Sequence, residues 1–297
     1  MSSSPIDLSL VPPPAAVENF AFDALVEEWW DRAVADNPEL AGLAESDPGR
    51  KWTRTGAFRE GLVRRRVNDG AEACMLPRAT GTDLENLVAL FGLKRETVIE
   101  ADPDADPPVE AVMESDERLR RRALLWPASI STAGPESAYR FHALNADPRV
   151  KDVHVASPAP GSLAITILAA IIDPADTGAA PQALLDTVKA ALSEETVRPM
   201  GDILAVRSAD IVDYRIEATL QVGSGPDSAV VLAAAQAAVR QAADSLHALG
   251  RGTPRSVLIA ALQAPGVLSV NLAAPAADVA ATAVQAARAS AIEVSLA

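Results

Sequence analysis

The segment 134–153, GPESAYRFHALNADPRVKDV, brings Ser137, Tyr139, Arg140, His142, Asp147, Arg149, Lys151 and Asp152 into one short run. These side chains could supply a nucleophile, a general base and an orienting carboxylate, the parts of a hydrolytic centre. The spacing offers less support than the inventory. His142 has no cysteine nearby, and a Ser–His–Asp set would have to be assembled without any local signature.

The other reactive residues are as isolated. His154 sits in a strand-like run with no second ligand in view, and His247, one turn before Gly250, reads as a cation at a helix C-terminus. Cys74 is the single cysteine, so no internal disulfide can form. Its place on an apolar helical stripe predicts a buried, inert thiol. The chain has no phosphate loop, no dinucleotide-binding glycine pattern, no His-Glu-x-x-His and no Cys-x-x-Cys. An acidic run from Glu96 to Glu117 lacks the spacing of a calcium loop. No catalytic, cofactor-binding or metal-binding residue is expected. The alternative reading, a hydrolase acting on cell-wall or tail material, would be built around residues 135–158.

The elements that would position such residues follow from periodicity. FAFDALVEEWWDRAV places Phe22, Leu25, Val26, Trp29 and Trp30 on one stripe, with Asp23, Glu27, Glu28 and Asp31 opposite, and predicts an amphipathic helix. That apolar face either packs on its own domain or is offered to a partner chain, since Trp is enriched at binding hot spots. A second helix is predicted over 53–76, carrying Phe58, Leu62, Val63, Val67, Ala71 and Cys74 and interrupted by Gly61 and Gly70. TGTDLENLVALFG reads as a short capped helix. Between Glu96 and Glu117 stand nine acidic residues, no Lys or Arg, and three prolines, which predicts a solvated linker. Beyond it, helices are expected at 135–146, 181–195, 227–249 and 254–264. Strands are expected at 150–157, 162–170, 202–208, 210–222, 267–273 and 290–296.

PESAYRFHALNADPRVKDVHVASP, residues 135–158, can be set above PRSVLIAALQAPGVLSVNLAAP, residues 254–275. Pro135, Ser137, Leu144, Ala146, Val150, Val153, Val155, Ala156 and Pro158 fall on Pro254, Ser256, Leu262, Ala264, Val267, Val270, Leu272, Ala273 and Pro275. A helix–turn–strand unit is used twice. Tyr139, Arg140 and His142 fall on Leu258, Ile259 and Ala260, so the copies share scaffold and not chemistry.

The totals agree with a structural reading. The chain has 297 residues, a net charge of −14 and 49% hydrophobic content. So acidic a protein does not suit a phosphate backbone, and no nucleic-acid partner is expected. No apolar run is long enough to cross a membrane, no secretory signal opens the chain, and a cytosolic protein is expected.

ESDP, AFRE, RRRVND, ATGTDLENLVALFG, ESDERLRRR, STAGPESAYRFHALNADPRVKDV and VRPM, in that order, resemble the baseplate assembly protein J family. Members belong to contractile phage tails, tailocins and related contractile injection systems. The resemblance runs from about residue 10 to the C-terminus. It implies a virion structural protein of the baseplate wedge, assembled in the host bacterial cytoplasm, with no catalysis and no cofactor. Implied partners are a second copy of the chain, a smaller baseplate wedge protein, neighbouring wedges, the hub and sheath-proximal baseplate proteins, and no membrane. It also implies that N-terminal helices enter a bundle with the wedge partner, which makes Phe22, Leu25, Val26, Trp29, Trp30, Arg64 and Arg65 the candidate contacts.

The expected fold class is α+β: an N-terminal helical region followed by two related mixed α/β modules with small antiparallel sheets. The expected organisation is an extended arm over 1–17, a helical wedge-bundle domain over 18–95, an acidic linker over 96–117, a first module over 118–209 and a second over 210–297.

Overall fold

The structure, a computed structural model, describes residues 11, 12, 14, 17–105, 107–131, 134–173, 175–199, 201–223 and 228–297. The arm expected over 1–17 lies largely outside the described residues. The chain divides into two compact units. One holds the residues up to Arg95 together with Ser115–Ala123, and the other holds Glu96–Glu114 with Leu124–Ala297.

The first unit is helical. α1 (Phe22–Asp36) packs on α2 (Pro48–Ala73). α2 starts earlier than periodicity indicates. Asp47 accepts a hydrogen bond from the Gly49 N–H at 2.8 Å, and Pro48 occupies the first turn, where its missing donor costs nothing. The helix then runs unbroken through Gly61 and Gly70. α1 approaches α2 at its small residues. Leu25 and Val26 form a core with Ala57, and Phe20 and Phe22 pack around it. A Cβ on Gly56 would lie 2.6 Å from the Trp29 ring, and one on Gly61 would lie 3.4 Å from Phe20. Trp30 is buried beneath the Arg50 guanidinium, 4.7 Å from its ring centre.

α3 (Gly81–Ala89) and the first turns of α4 (Asp116–Ser129) complete this unit. The charges of ESDERLRRR hold it together. Asp116 accepts from the Gly81 N–H at 3.0 Å and pairs with Arg95 at 2.6 Å, and Arg95 also reaches Glu85 at 2.5 Å. Arg120 donates to the carbonyls of Leu76 and Ala79, closing the turn that follows α2. Carbonyls of the connecting turn are thereby satisfied.

In the second unit the acidic stretch is a narrow antiparallel ribbon. β1 (Thr97–Ile99) pairs with β2 (Val112–Met113), and Asp102 bridges to Val109. The Glu114 carboxylate accepts from the Glu96 N–H at 3.1 Å. Where a linker is expected, backbone pairing orders the segment despite its charge.

Two modules follow. In the first, α5 (Glu136–Ala146) leads into β3 (Val150–Ala159), β4 (Ser162–Ala169), α6 (Gln182–Leu192) and β5 (Ile203–Ser208), with strands in the order β3-β4-β5. The second contains β6 (Asp210–Val222), α7 (Ser228–Leu246), α8 (Arg255–Leu262), β7 (Val267–Ala274) and β8 (Gln285–Leu296), with strands in the order β7-β6-β8. The α+β class is as expected, and two mixed modules are present. The sheets are mixed rather than purely antiparallel. β3 and β7 run antiparallel to their central strands β4 and β6, while β5 and β8 run parallel to them. A parallel neighbour needs a crossover, and the helices of each module supply it.

The sheet wiring makes the repeat explicit. In each module a helix–turn–strand unit, α5–β3 or α8–β7, supplies the antiparallel edge strand. The unit precedes the central strand in the first module and follows it in the second. Val153, Val155, Ile165 and Ile167 are buried in the first sheet. Ile216, Leu220, Val231, Val239, Leu258 and Leu262 belong to one core in the second.

The contrasting glycines of α2 make a stability test. Nothing lies within 4 Å of a Cβ placed on Gly70, so Gly70→Ala is expected to stabilise the chain by about 0.5–1 kcal/mol through helix propensity. Gly56→Ala would push the Trp29 ring off α2 and is expected to destabilise. Urea unfolding monitored by Trp fluorescence should order the midpoints Gly70→Ala, wild type, Gly56→Ala.

Candidate functional site

The polar residues of 134–153 make contacts within the first module and across to the second. Tyr139 on α5 is 1% exposed, and its hydroxyl donates to Asp202 across a 2.6 Å hydrogen bond. Gly134, at φ +63, lets the chain pass between the Pro199 and Tyr139 rings; a Cβ there would lie 2.9 Å from Pro199. Arg140 pairs with Glu136 at 3.0 Å. Asp147 accepts from the Arg149 N–H at 2.8 Å and from its guanidinium at 2.7 Å, pinning the turn between α5 and β3. Asp152 is buried and accepts from the N–H groups of Val153 and Leu249. His142 is half-buried, its ring edge-on to Phe141 at 5.3 Å, and burial pushes its pKa down. None of these groups is arranged as nucleophile and base. Among the described residues, no group of three His, Cys, Asp or Glu side chains gathers to hold a metal ion.

Two expectations for single residues are corrected. Cys74 is exposed, because it caps α2 at the point where the apolar stripe ends. His247 is not a solvated cation at a helix end. It is buried, and burial lowers its pKa, so it is held neutral.

The contacts expected for a wedge bundle are distributed unevenly. Leu25, Val26 and Trp30 are buried within the first unit, and Phe22 is partly covered, with Arg54 over its ring at 5.9 Å. Trp29 is partly exposed, and its indole N–H donates to Glu60 at 2.5 Å. Arg64 pairs with Glu60 at 2.6 Å and Glu18 at 3.1 Å, while Arg65 is exposed. The apolar face of α1 is therefore used inside the chain.

The face left open belongs to α2. Trp52 is 74% exposed, and Phe58, Leu62, Val63 and Val67 are each about half exposed or more. The sequence places most of them on one helix, but periodicity does not say which of them face water. The usable signal was the pair of small residues Ala57 and Gly61 on the side away from Trp52 and Val63. A helix can approach closely only there, which turns the large side chains outward. Single exposed hydrophobics are ordinary, but five large ones on one helix mark a contact surface.

Two substitutions follow from this geometry. Trp30→Ala should cost about 3–5 kcal/mol, as for other buried aromatic truncations, and should leave much of the first unit unfolded by circular dichroism. Tyr139→Phe removes a hydrogen bond to a carboxylate and should cost about 1.5–3 kcal/mol. Burial first, and Asp202 next, raise the Tyr139 pKa above its ordinary value. The native state thus holds that proton more tightly than the unfolded chain. Its contribution is complete below about pH 10 and is lost as pH rises further, so the wild type should show an alkaline loss of stability that Tyr139→Phe reduces.

Comparison with known proteins agrees with this architecture. Residues 45–102 match the Baseplate J-like N-terminal domain, which takes in α2 and α3, and residues 131–208 match the Baseplate J-like central domain, the first α/β module. Baseplate protein J of Escherichia phage P2 is 38% identical over 281 residues, covering 92% of each chain. Identity at that level over nearly the full length of both proteins shows common descent and a common fold. The chain belongs to the baseplate J family.

Proposed function

We propose that this chain is a structural wedge protein in the baseplate of a contractile tail, and that it assembles by multivalent protein–protein contacts into a ring around the central hub. Its partners in this reading are a second copy of itself and a smaller baseplate wedge protein, with neighbouring wedges, hub and sheath-proximal proteins completing the ring. Assembly would take place in the host bacterial cytoplasm. Membership of a structural family supports this reading, as does the spending of the 134–153 side chains on the fold. No observation favours the hydrolase alternative.

The observation that carries the proposal is the open face of α2. It belongs to a helix with more basic than acidic residues in a chain of net charge −14. Trp52, Phe58, Leu62, Val63 and Val67 are exposed on it, and exposed Arg59, Arg65 and Arg66 lie close by in the helix. That chemistry fits an amphipathic helix with acidic flanks, contributed by the smaller wedge protein. Apolar anchors would supply affinity, and the arginines would set orientation and steer the encounter. Ring closure allows each contact to be individually modest, because neighbours raise the effective concentration of every further one.

The test is co-expression with the neighbouring tail gene products, followed by size-exclusion chromatography with light scattering. A complex with two copies of this chain and one smaller partner is the expected result. Phe58→Asp with Leu62→Asp should abolish that complex while the chain keeps its helix content, since both side chains are about half exposed and outside the α1–α2 core. Retention of the complex by the double variant would overturn the assignment of this face, and self-association without any partner would replace the partner helix with a second copy.

A further inference from the structure

The two α/β modules meet at a seam of limited apolar area. Its buried core is Leu168, Ala209 and Ala286, with Ile211 and Leu249 packed against them. Polar links cross beside it. Asp152 on β3 accepts from the Leu249 N–H at 3.0 Å, and the Lys151 ammonium lies 3.4 Å from the Asp244 carbonyl oxygen.

His247 lies in this seam and is 3% exposed. Its Nδ1 is 2.9 Å from the Ala287 carbonyl oxygen on β8. A carbonyl only accepts, so Nδ1 carries the proton, and in the neutral ring Nε2 is a bare lone pair. Nε2 is buried and has no hydrogen-bond partner. It abuts Gly178 in the connection between β4 and α6. A Cβ on that glycine, at φ +88, would lie 2.6 Å from Nε2 and 3.3 Å from Leu168. The neutral ring thus fills a socket whose walls come from both modules.

The charges around the socket come from every element packed on it. β3 contributes Lys151 and Asp152, α7 contributes Asp244, and β8 contributes Arg288, which pairs with Asp213 on β6 at 3.6 Å. The β4–α6 connection contributes Asp176, whose carboxylate accepts from the N–H groups of Ile172 and Asp173. Burial is the largest influence on the ring and lowers its pKa; Lys151 and Arg288 act in the same direction, against the Ala287 carbonyl and Asp244. A proton on Nε2 would create a buried N–H with no acceptor, close to two other cations.

We propose that the seam between the two modules is a proton-sensitive joint, closed around the neutral His247 ring and released when that ring is protonated. The closed seam binds fewer protons than the open one. Its stability is complete above about pH 6.5, the ordinary histidine value, and is lost as pH falls from there through the depressed value. This joint depends on the fold of the second unit alone and is independent of the assembly role proposed above.

Hydrogen exchange of the full chain at pH 7.5 and 5.5, corrected for intrinsic rates, tests the joint. The seam amides of Ala169, bonded to Gly178, and Leu249, bonded to Asp152, are expected to lose about tenfold protection at the lower pH, consistent with uptake of one proton. Amides in the cores of α5 and β6 should hold theirs. His247→Gln keeps a donor for the Ala287 carbonyl but does not titrate, and its seam protection should be the same at both pH values. Unchanged protection in the wild type, or an equal pH response in His247→Gln, would overturn the proposal. Should that variant fail to fold, the ring resonances of wild-type His247 decide: titration at or above the ordinary value overturns the joint, and titration below it supports it.

Discussion

The close approach of α1 to α2 depends on the absence of side-chain bulk at Gly56, Ala57 and Gly61. The Trp29 ring occupies the space a Cβ on Gly56 would need, and Phe20 rests over Gly61. That constraint settles the face by which α2 is buried. Ala57 and Gly61 lie on the packed side, and Trp52, Phe58, Leu62, Val63 and Val67 stay exposed around the rest of the helix. The open surface from Trp52 to Val67 is thus a consequence of intramolecular packing. A protein that works by contacts can combine the two economically: small residues build the hairpin and large ones remain for a partner.

Each α/β module faces a different difficulty. A three-stranded sheet is small, and its helices cover only limited apolar area, so polar side chains take over the joins. Tyr139 bonds to Asp202 side chain to side chain, and Asp147 and Asp152 accept from the backbone N–H groups of Arg149 and Leu249, which fastens a turn and a seam. The second copy of the helix–turn–strand unit has Leu258 in the place of Tyr139 and buries it in an apolar core, while Ile259 and Ala260 are exposed. Duplicated scaffolds can diverge in this way because the strand pairing is common to both and the fastening is local.

Charge is handled in the same spirit. The acidic run after Lys94 is ordered by strand pairing, and Arg120 and Arg122 of α4 donate to the carbonyls of Leu76, Ala79 and Lys94. His247 is a buried ionisable group in the seam whose stability depends on staying uncharged. A small seam with one such group is balanced more finely than the module cores on either side of it.

Much of this protein was legible in the sequence. Period-2 alternation placed β6 at Asp210–Val222, period-3.6 stripes placed α1 and α7 to within a few residues, and the internal repeat announced two related modules. Local physics determines such features, because they depend on neighbours along the chain. The seven short motifs likewise sufficed for the family. What the sequence could not decide was orientation and partnership. The same set of Phe58, Leu62 and Val63 is compatible with a buried or an open surface, and its exposure depends on where α1 lands. The same His247 reads as a solvated helix-end cation until a carbonyl from β8 and a glycine from the β4–α6 connection close around it. The polar run at 134–153 could have been a catalytic centre until Asp202, sixty-three residues beyond Tyr139, was brought against it. Each of these depends on contacts between residues distant in sequence, and only the tertiary structure brings those together.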